Sequence, residues 1–267
     1  MGVPVRRVAG PSRYRERPAG PGPVRCVWIG NGGWDRRLRV LPDGCLDLVW
    51  TGSELHAAVP NANPVRFPVA AGAIHLGVRL RPGLVASVLG ESPRGMPASL
   101  RLCEVWGAAA DHAEWRLATA EDVAGTLCAL VSERLTGVDA LVLGAARLLG
   151  TVGPAATAAR LGTSERTLRR RCVEQLGLGP KQLHRILRFQ AFLAATERGE
   201  RLADAAALAG YADQAHLARE CAELAAARPG ELAGRPWIRR AGRNIQDRSR
   251  GAGEHGLYDV HRADSGA

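Results

Sequence analysis

The chain lacks any run of about 20 apolar residues, so nothing in it is expected to span a membrane. Its start, Met1 to Gly22, has two early arginines but no continuous apolar stretch after them, which argues against an export signal. This Arg-, Pro- and Gly-rich opening reads as a flexible leader. No two of the six cysteines (26, 45, 103, 128, 172 and 221) have C-x-x-C spacing, and none joins a histidine at zinc-ligand spacing. No metal site is expected, and the thiols read as reduced, apolar fillers of a cytoplasmic protein. No nucleophile elbow, nucleophile–base–orienter set or Gly-rich phosphate loop is present, so neither a catalytic residue nor a cofactor is expected. Lysine is nearly missing: Lys181 is the one lysine among 36 basic side chains. A basic set that is nearly all arginine, with abundant Ala and Gly, fits a GC-rich genome, so part of the high pI is codon bias.

What is present is 267 residues, 46% of them hydrophobic, enough for about two domains with a substantial core. The net charge of +10 is uneven. Residues 26–150 hold 11 basic and 12 acidic side chains, whereas 151–235 hold 13 and nine. The remaining excess lies in the two ends. A basic segment beside a neutral one points to a polyanion as partner of the basic segment alone.

Short apolar runs at Val24–Ile29, Leu46–Trp50 and Ile74–Leu80, parted by turn residues such as Asn31-Gly32-Gly33 and Pro42-Asp43-Gly44, read as strands of a small β barrel or sandwich. A short helix is expected over Leu84–Leu89, ended by Gly90 and Pro93. Helical texture follows from Asp111 to about Leu149, with Val123, Leu127, Leu130 and Val131 apolar. Beyond Gly150 the text is helical only, interrupted by Gly162, Gly177–Gly179, Gly199 and Gly210. The expected class is α+β. The expected divisions are a leader (1–22), a β-rich sensor-like domain with C-terminal helices (23–136), an all-α domain (137–234) and a disordered basic tail (235–267).

Within the helical half, Ala155–Cys172 has the parts of a helix-turn-helix. Small Ala158 and Ala159 allow two helices to cross closely. Gly162 supplies a turn residue with positive φ. Ser164 is a good N-cap. Leu168 and Cys172, one turn apart, share a buried face with Leu161 and Leu176. That arrangement leaves Glu165, Arg166, Arg169 and Arg170 outward, where arginines can read guanine edges and hold phosphates. The logic repeats over Leu202–Cys221, with Gly210 at the turn, Leu217 and Cys221 inward, and Gln214, His216 and Arg219 outward. A connecting helix is expected over Pro180–Glu197, with Leu183, Ile186, Leu187, Phe189 and Leu193 as packing residues. The candidate DNA-binding residues are therefore Ser164, Glu165, Arg166, Arg169, Arg170, Gln214, His216 and Arg219. The first unit, 154–181, has six basic residues against two acids, and the second, 202–229, two against four. On charge alone the first unit is expected to carry most of the phosphate affinity.

Two stretches, Ser164-x-Arg166-x-Leu168-x-Arg170-x-Cys172 and Gly210-Tyr211-x-Asp213-Gln214-Ala215-His216-Leu217-x-Arg219, resemble the DNA-binding domain of the AraC/XylS family of regulators. The resemblance runs from near Val138 to Gly234. It implies two helix-turn-helix subdomains joined by a helix, each placing one recognition helix in successive major grooves. The sequence departs from the family at Cys172 and Cys221, where the family has Phe, and near Ala205, where it has Ile. These swaps shrink the cores and imply a repacked or less stable domain. Of the family's closing motif only Pro229 is clear. Leu41–Trp50 and Gly77–Gly83, ending at Glu104-Val105-Trp106-Gly107, are similar to a sensor-like domain found before such modules, which implies a cupin-like β fold. In that domain Asp43 and Asp47 read chiefly as turn residues. His56, His75 and Cys45 have no partners at ligand spacing, and Trp28, Trp34 and Trp50 read as packing residues.

The resulting expectation is a sequence-specific transcription regulator controlled by a small ligand or by self-association. Its expected partners are double-stranded DNA, a small-molecule effector, RNA polymerase and a second copy of the chain, but no membrane. The alternatives are a DNA-repair alkyl-acceptor protein, in which a cysteine takes a methyl group, and a protein-binding adaptor.

Overall fold

The computed structural model describes residues 13–31, 36–69 and 72–233. Among the described residues the first half contains eight strands: β1 (Arg13–Pro18), β2 (Val24–Asn31), β3 (Arg36–Val40), β4 (Asp47–Trp50), β5 (Leu55–Ala58), β6 (Val65–Val69), β7 (Ile74–Leu80) and β8 (Ser99–Arg101). Six of them form an antiparallel sheet in the order β1-β2-β7-β4-β5-β8, and β3 pairs with β6 in a second, two-stranded sheet. α1 (Val85–Leu89) and α2 (Cys103–Trp106) flank β8 in the chain. They are followed by α3 (Ala108–Ala118), α4 (Val123–Arg134) and α5 (Ala140–Leu148). The described residues of the second half carry helices alone: α6 (Pro154–Arg160), α7 (Glu165–Leu176), α8 (Pro180–Glu197), α9 (Leu202–Leu208), α10 (Gln214–Ala225) and α11 (Pro229–Leu232). This is the α+β architecture expected. Among the described residues no helix is long and apolar enough to cross a membrane.

One sequence expectation changes and another gains its boundaries. The stretch Arg13–Pro18, read as part of a flexible leader, is an edge strand in register with β2, Glu16 opposite Trp28. Its inward side chains are polar, which hides it from an apolar-pattern reading. Tyr14 and Glu16 reach Arg79, whose side chain is 1% exposed. Arg79 also sits 3.1 Å from Asp47 Oδ1 and 3.2 Å from Asp43 Oδ2. Trp28 Nε1 donates to Asp47 Oδ2 at 3.1 Å. Asp43 thus belongs to a turn, as its Oδ1 accepts from the Cys45 amide at 3.0 Å, and also to a buried ionic cluster. Burial alone would lower the Arg79 pKa, but Asp47, Tyr14, Asp43 and Glu16 outweigh it and keep the guanidinium charged.

Second, the helical texture from Asp111 to Leu149 is three helices. The breaks fall at Asp122 and Asp139, whose carboxylates accept from the amides of Gly125 and of Leu141 and Val142 and start α4 and α5 as N-caps. The proposed tail, 235–267, and Trp34 lie outside the described residues, as do residues 1–12 of the leader.

The helical half docks on the β-rich half. Gln190 of α8 donates to the Pro42 carbonyl at 2.6 Å. Gly44 has φ +73°, and a Cβ there would stand 2.7 Å from Leu183 Cδ1 of α8. The 41–45 turn therefore needs glycine both for its backbone and for the close approach of α8. Ser92 Oγ donates to the Glu174 carbonyl at 2.8 Å, and α1 packs against α7. One apolar core runs through both halves.

Candidate nucleic-acid interface

The first unit starts with Pro154 in the first turn of α6, a position where the missing amide costs nothing. Thr157 and Ala158 are buried at the crossing with α7, and the small Ala158 lets the two helices approach. The chain then reverses through Gly162, φ +64°, with the Thr163 amide donating back to the Ala158 carbonyl at 3.0 Å. A Cβ at Gly162 would meet nothing within 4 Å, so the need for glycine is conformational. Ser164 caps α7 as expected: its Oγ accepts from the Thr167 amide at 3.1 Å. Leu168, Cys172 and Leu176 are fully buried, while Leu161 is half-buried.

That packing fixes which residues face outward. Glu165, Arg166, Arg169 and Arg170 are all exposed. Arg170 lies 3.5 Å from Glu174 one turn on. Arg171 turns the other way, 2.6 Å from the carboxylate of Asp139 that also caps α5. α7 is thus tied to α5 on one side and open on the other.

The second unit repeats this geometry with one insertion. Gly210 has φ +74°, and the Tyr211 amide donates to the Ala206 carbonyl at 3.0 Å. The two turn glycines are 48 residues apart, but Leu168 and Leu217 are 49 apart, so the second turn is one residue longer. The extra residue moves the cap from Ser164 to Asp213, whose Oδ1 accepts from the His216 amide at 2.6 Å. Leu217, Cys221, Leu224 and Ala225 are buried. Gln214 and Arg219 are exposed, whereas His216 is half-buried, its ring edge-on to Tyr211 at 5.3 Å. Among the described residues, Arg166, Arg169 and Arg219 have no ion-pair partner, which leaves their guanidinium groups available to an anion.

Residues 157–235 match the family model of a helix-turn-helix domain. The C-terminal region is a helix-turn-helix domain of the AraC type. No curated protein sequence matches the chain. Among solved structures it is similar to ToxT from Vibrio cholerae. A structure of ToxT at 1.65 Å resolution shares 10% identity, covering 82% of this chain and 98% of that one, with a TM-score of 0.44. Unsaturated-fatty-acid-bound wild-type ToxT shares 13% identity over 85% of this chain and 96% of that one, with a TM-score of 0.42.

Around the AraC-type domain's expected residues stand others that the sequence reading passed over. Arg185 and Arg188 of α8 reach the second unit, Arg185 to Glu220 at 2.9 Å and Arg188 to the Ala209 carbonyl at 3.1 Å. Phe192 was not among the expected packing residues of α8 but is fully buried, edge-on to Tyr211 at 6.3 Å. These partners lie far apart in sequence, so no local spacing announces them. The same contacts bear on the charge reading of the second unit. Of its four acids, Asp213 caps α10, and Glu220 and Glu223 pair with Arg185. Its acidity is spent largely inside the fold.

Of the six cysteines expected as fillers, Cys26, Cys45, Cys172 and Cys221 are fully buried, and Cys103 and Cys128 are half-buried. Burial pushes the thiols of Cys26, Cys172 and Cys221 up to about 12, and that of Cys45 higher still.

Proposed function

We propose that the chain is a sequence-specific transcription regulator that holds duplex DNA through α7 and α10, under control of its β-rich half. The observation that supports this reading best is the open face of α7, where Arg166, Arg169 and Arg170 project opposite the buried Leu168, Cys172 and Leu176. A helix of this kind fits a major groove, with arginines able to donate two hydrogen bonds to one guanine or to clasp phosphates. Ser164 sits at the amino end of α7, where backbone amides favour a phosphate, and Glu165 beside it can accept from a cytosine amino group. Gln214, His216 and Arg219 form the corresponding contact set on α10, with His216 contributing less because half its surface is packed on Tyr211. A small-molecule effector or a second copy of the chain acts through the β-rich half, and RNA polymerase is the partner through which bound protein changes transcription.

At Cys26, Cys45, Cys172 and Cys221, burial weighs against the alkyl-acceptor alternative, since the thiolate is the nucleophile. The testing experiment is selection of duplexes from random DNA by the full chain. Enrichment of a shared sequence supports the reading, and recovery of unrelated sequences contradicts it.

A further inference from the structure

We propose that Arg185 and Arg188 of α8 are positioning residues that set the register of the second DNA-reading helix against the first. The inference deepens the function proposed above and rests on its premise that α7 and α10 both touch DNA.

Arg185, Arg188 and Phe192 lie at i, i+3 and i+7 along α8, on one face of the helix. Each takes hold of a different part of the second unit. Arg185 grips α10 from the side, with Nε 2.9 Å and 3.1 Å from the two carboxylate oxygens of Glu220 and Nη2 against Glu223. Glu220 is only 12% exposed, so this pairing is largely screened from solvent. Arg188 closes the end of α9: its Nε donates to the Ala209 carbonyl at 3.1 Å and its Nη2 to the Gly210 carbonyl. The Ala209 carbonyl is one that a helix leaves unsatisfied at its end, and the Gly210 carbonyl belongs to the turn that follows. The same guanidinium stands 4.5 Å from the centre of the Tyr211 ring. Tyr211 in turn packs edge-on to Phe192 of α8 and to His216 of α10. One helix therefore fixes α9, the turn and α10 together.

The apolar core of this unit gives little direction of its own. Apart from Leu217, Leu224 and Tyr211, it consists of the small Ala205, Ala206, Ala209, Cys221 and Ala225, and Tyr211 is itself held by Arg188 and Phe192 of α8. Hydrophobic burial is non-directional, whereas a two-pronged arginine contact fixes angle as well as distance. The first unit needs no such device, because Arg171–Asp139 and the packing of α1 already hold α7. With α7 held by the rest of the molecule and α10 held by α8, the two arginines determine how far, and at what angle, α10 lies from α7. On DNA that relation is the spacing between two half-sites.

The test uses the full chain and a set of duplexes carrying the selected site with zero, one or two base pairs inserted between its half-sites. One inserted pair shifts a half-site by about 3.4 Å and rotates it by about a tenth of a turn. The wild-type protein is expected to lose about tenfold or more in affinity for one inserted pair, the scale of a lost base contact. Arg185→Gln and Arg188→Gln are expected to bring that ratio to about threefold or less, well below a mismatch penalty, while still binding better when the second half-site is present. Arg188→Lys, which keeps a cation over Tyr211, is expected to restore part of the preference. The exchange Arg185→Glu with Glu220→Arg is expected to restore more of it than Arg185→Glu alone.

Unchanged spacing preference in both glutamine variants overturns the proposal. Complete loss of dependence on the second half-site in both also overturns it, since that marks a unit that no longer folds rather than one that is misplaced. If the wild-type protein itself ignores the second half-site, the underlying two-helix reading fails, and that result is separable because it needs no variant.

Discussion

Arg169 and Arg170 are neighbours on α7 but stand in different company. Arg169 has no ion-pair partner among the described residues, while Arg170 lies 3.5 Å from Glu174. Replacing either with alanine is expected to cost about 1–3 kcal/mol of binding if it reads a base, or about one unit of salt slope if it holds a phosphate. Titrations at several salt concentrations separate the two. Arg79 is a residue of the opposite kind, wholly internal. Arg79→Met removes the buried cation that Glu16, Asp43 and Asp47 share, and is expected to destabilise the protein by about 3–5 kcal/mol in denaturant titration. The buried thiols set a third expectation. Cys26, Cys172 and Cys221 stay protonated in the folded protein to about pH 12, whereas in an unfolded chain such thiols ionise near their ordinary value of 9.0. Their contribution to stability is complete below pH 9.0 and is lost as pH rises towards about 12, so alkaline unfolding should shift to higher pH when Cys172 is replaced by Ala in a chain that still folds. The outward arginines were legible in the sequence because they depend only on helix period. The Arg79 cluster was not, because Glu16, Asp43 and Asp47 meet it only across the sheet.

At the scale of elements, local chemistry announced most of the helical half. Gly162, Ser164 and the Leu168/Cys172 spacing specify a turn, a cap and a buried stripe, and the structure contains all three. α8 spans Pro180–Glu197, the range its composition indicated. Ser164→Ala removes the acceptor of the Thr167 amide and is expected to cost about 1 kcal/mol in thermal or denaturant unfolding. Where the reading went astray, a tertiary partner had overridden the local text. β1 is polar on its inward face because it meets Arg79 rather than an apolar core. The helical texture over 111–149 carried no internal boundaries, and the structure places them at the N-caps Asp122 and Asp139. The one-residue insertion in the second turn shows the reverse case. Asp213 stands in the Gly210–Arg219 stretch with no role assigned by spacing, and the structure shows it as the equivalent of Ser164.

Across the whole molecule, the two halves share one core and meet where α8 lies on the 41–45 turn, which is itself tied to Arg79 through Asp43. A Cβ at Gly44 would both strain a backbone at φ +73° and press on Leu183, so Gly44→Ala is expected to loosen this contact. Unfolding followed by tryptophan fluorescence, which reports mainly on the β-rich half, should then separate from unfolding followed by helical circular dichroism. In the wild type the two should coincide. Net charge by segment had ranked the first DNA-reading unit far above the second. The structure narrows that difference, since Asp213, Glu220 and Glu223 serve the fold. The central claim remains that the open arginine face of α7 binds duplex DNA. Its most direct test is the salt dependence of binding by the full chain and by the Arg169→Ala, Arg170→Ala double variant on one selected duplex. The wild type should show a steep fall of log affinity with log salt, and the variant should bind more weakly with a slope shallower by about 0.9 for each arginine that held a phosphate. The same affinity in both proteins across the salt range would contradict the account.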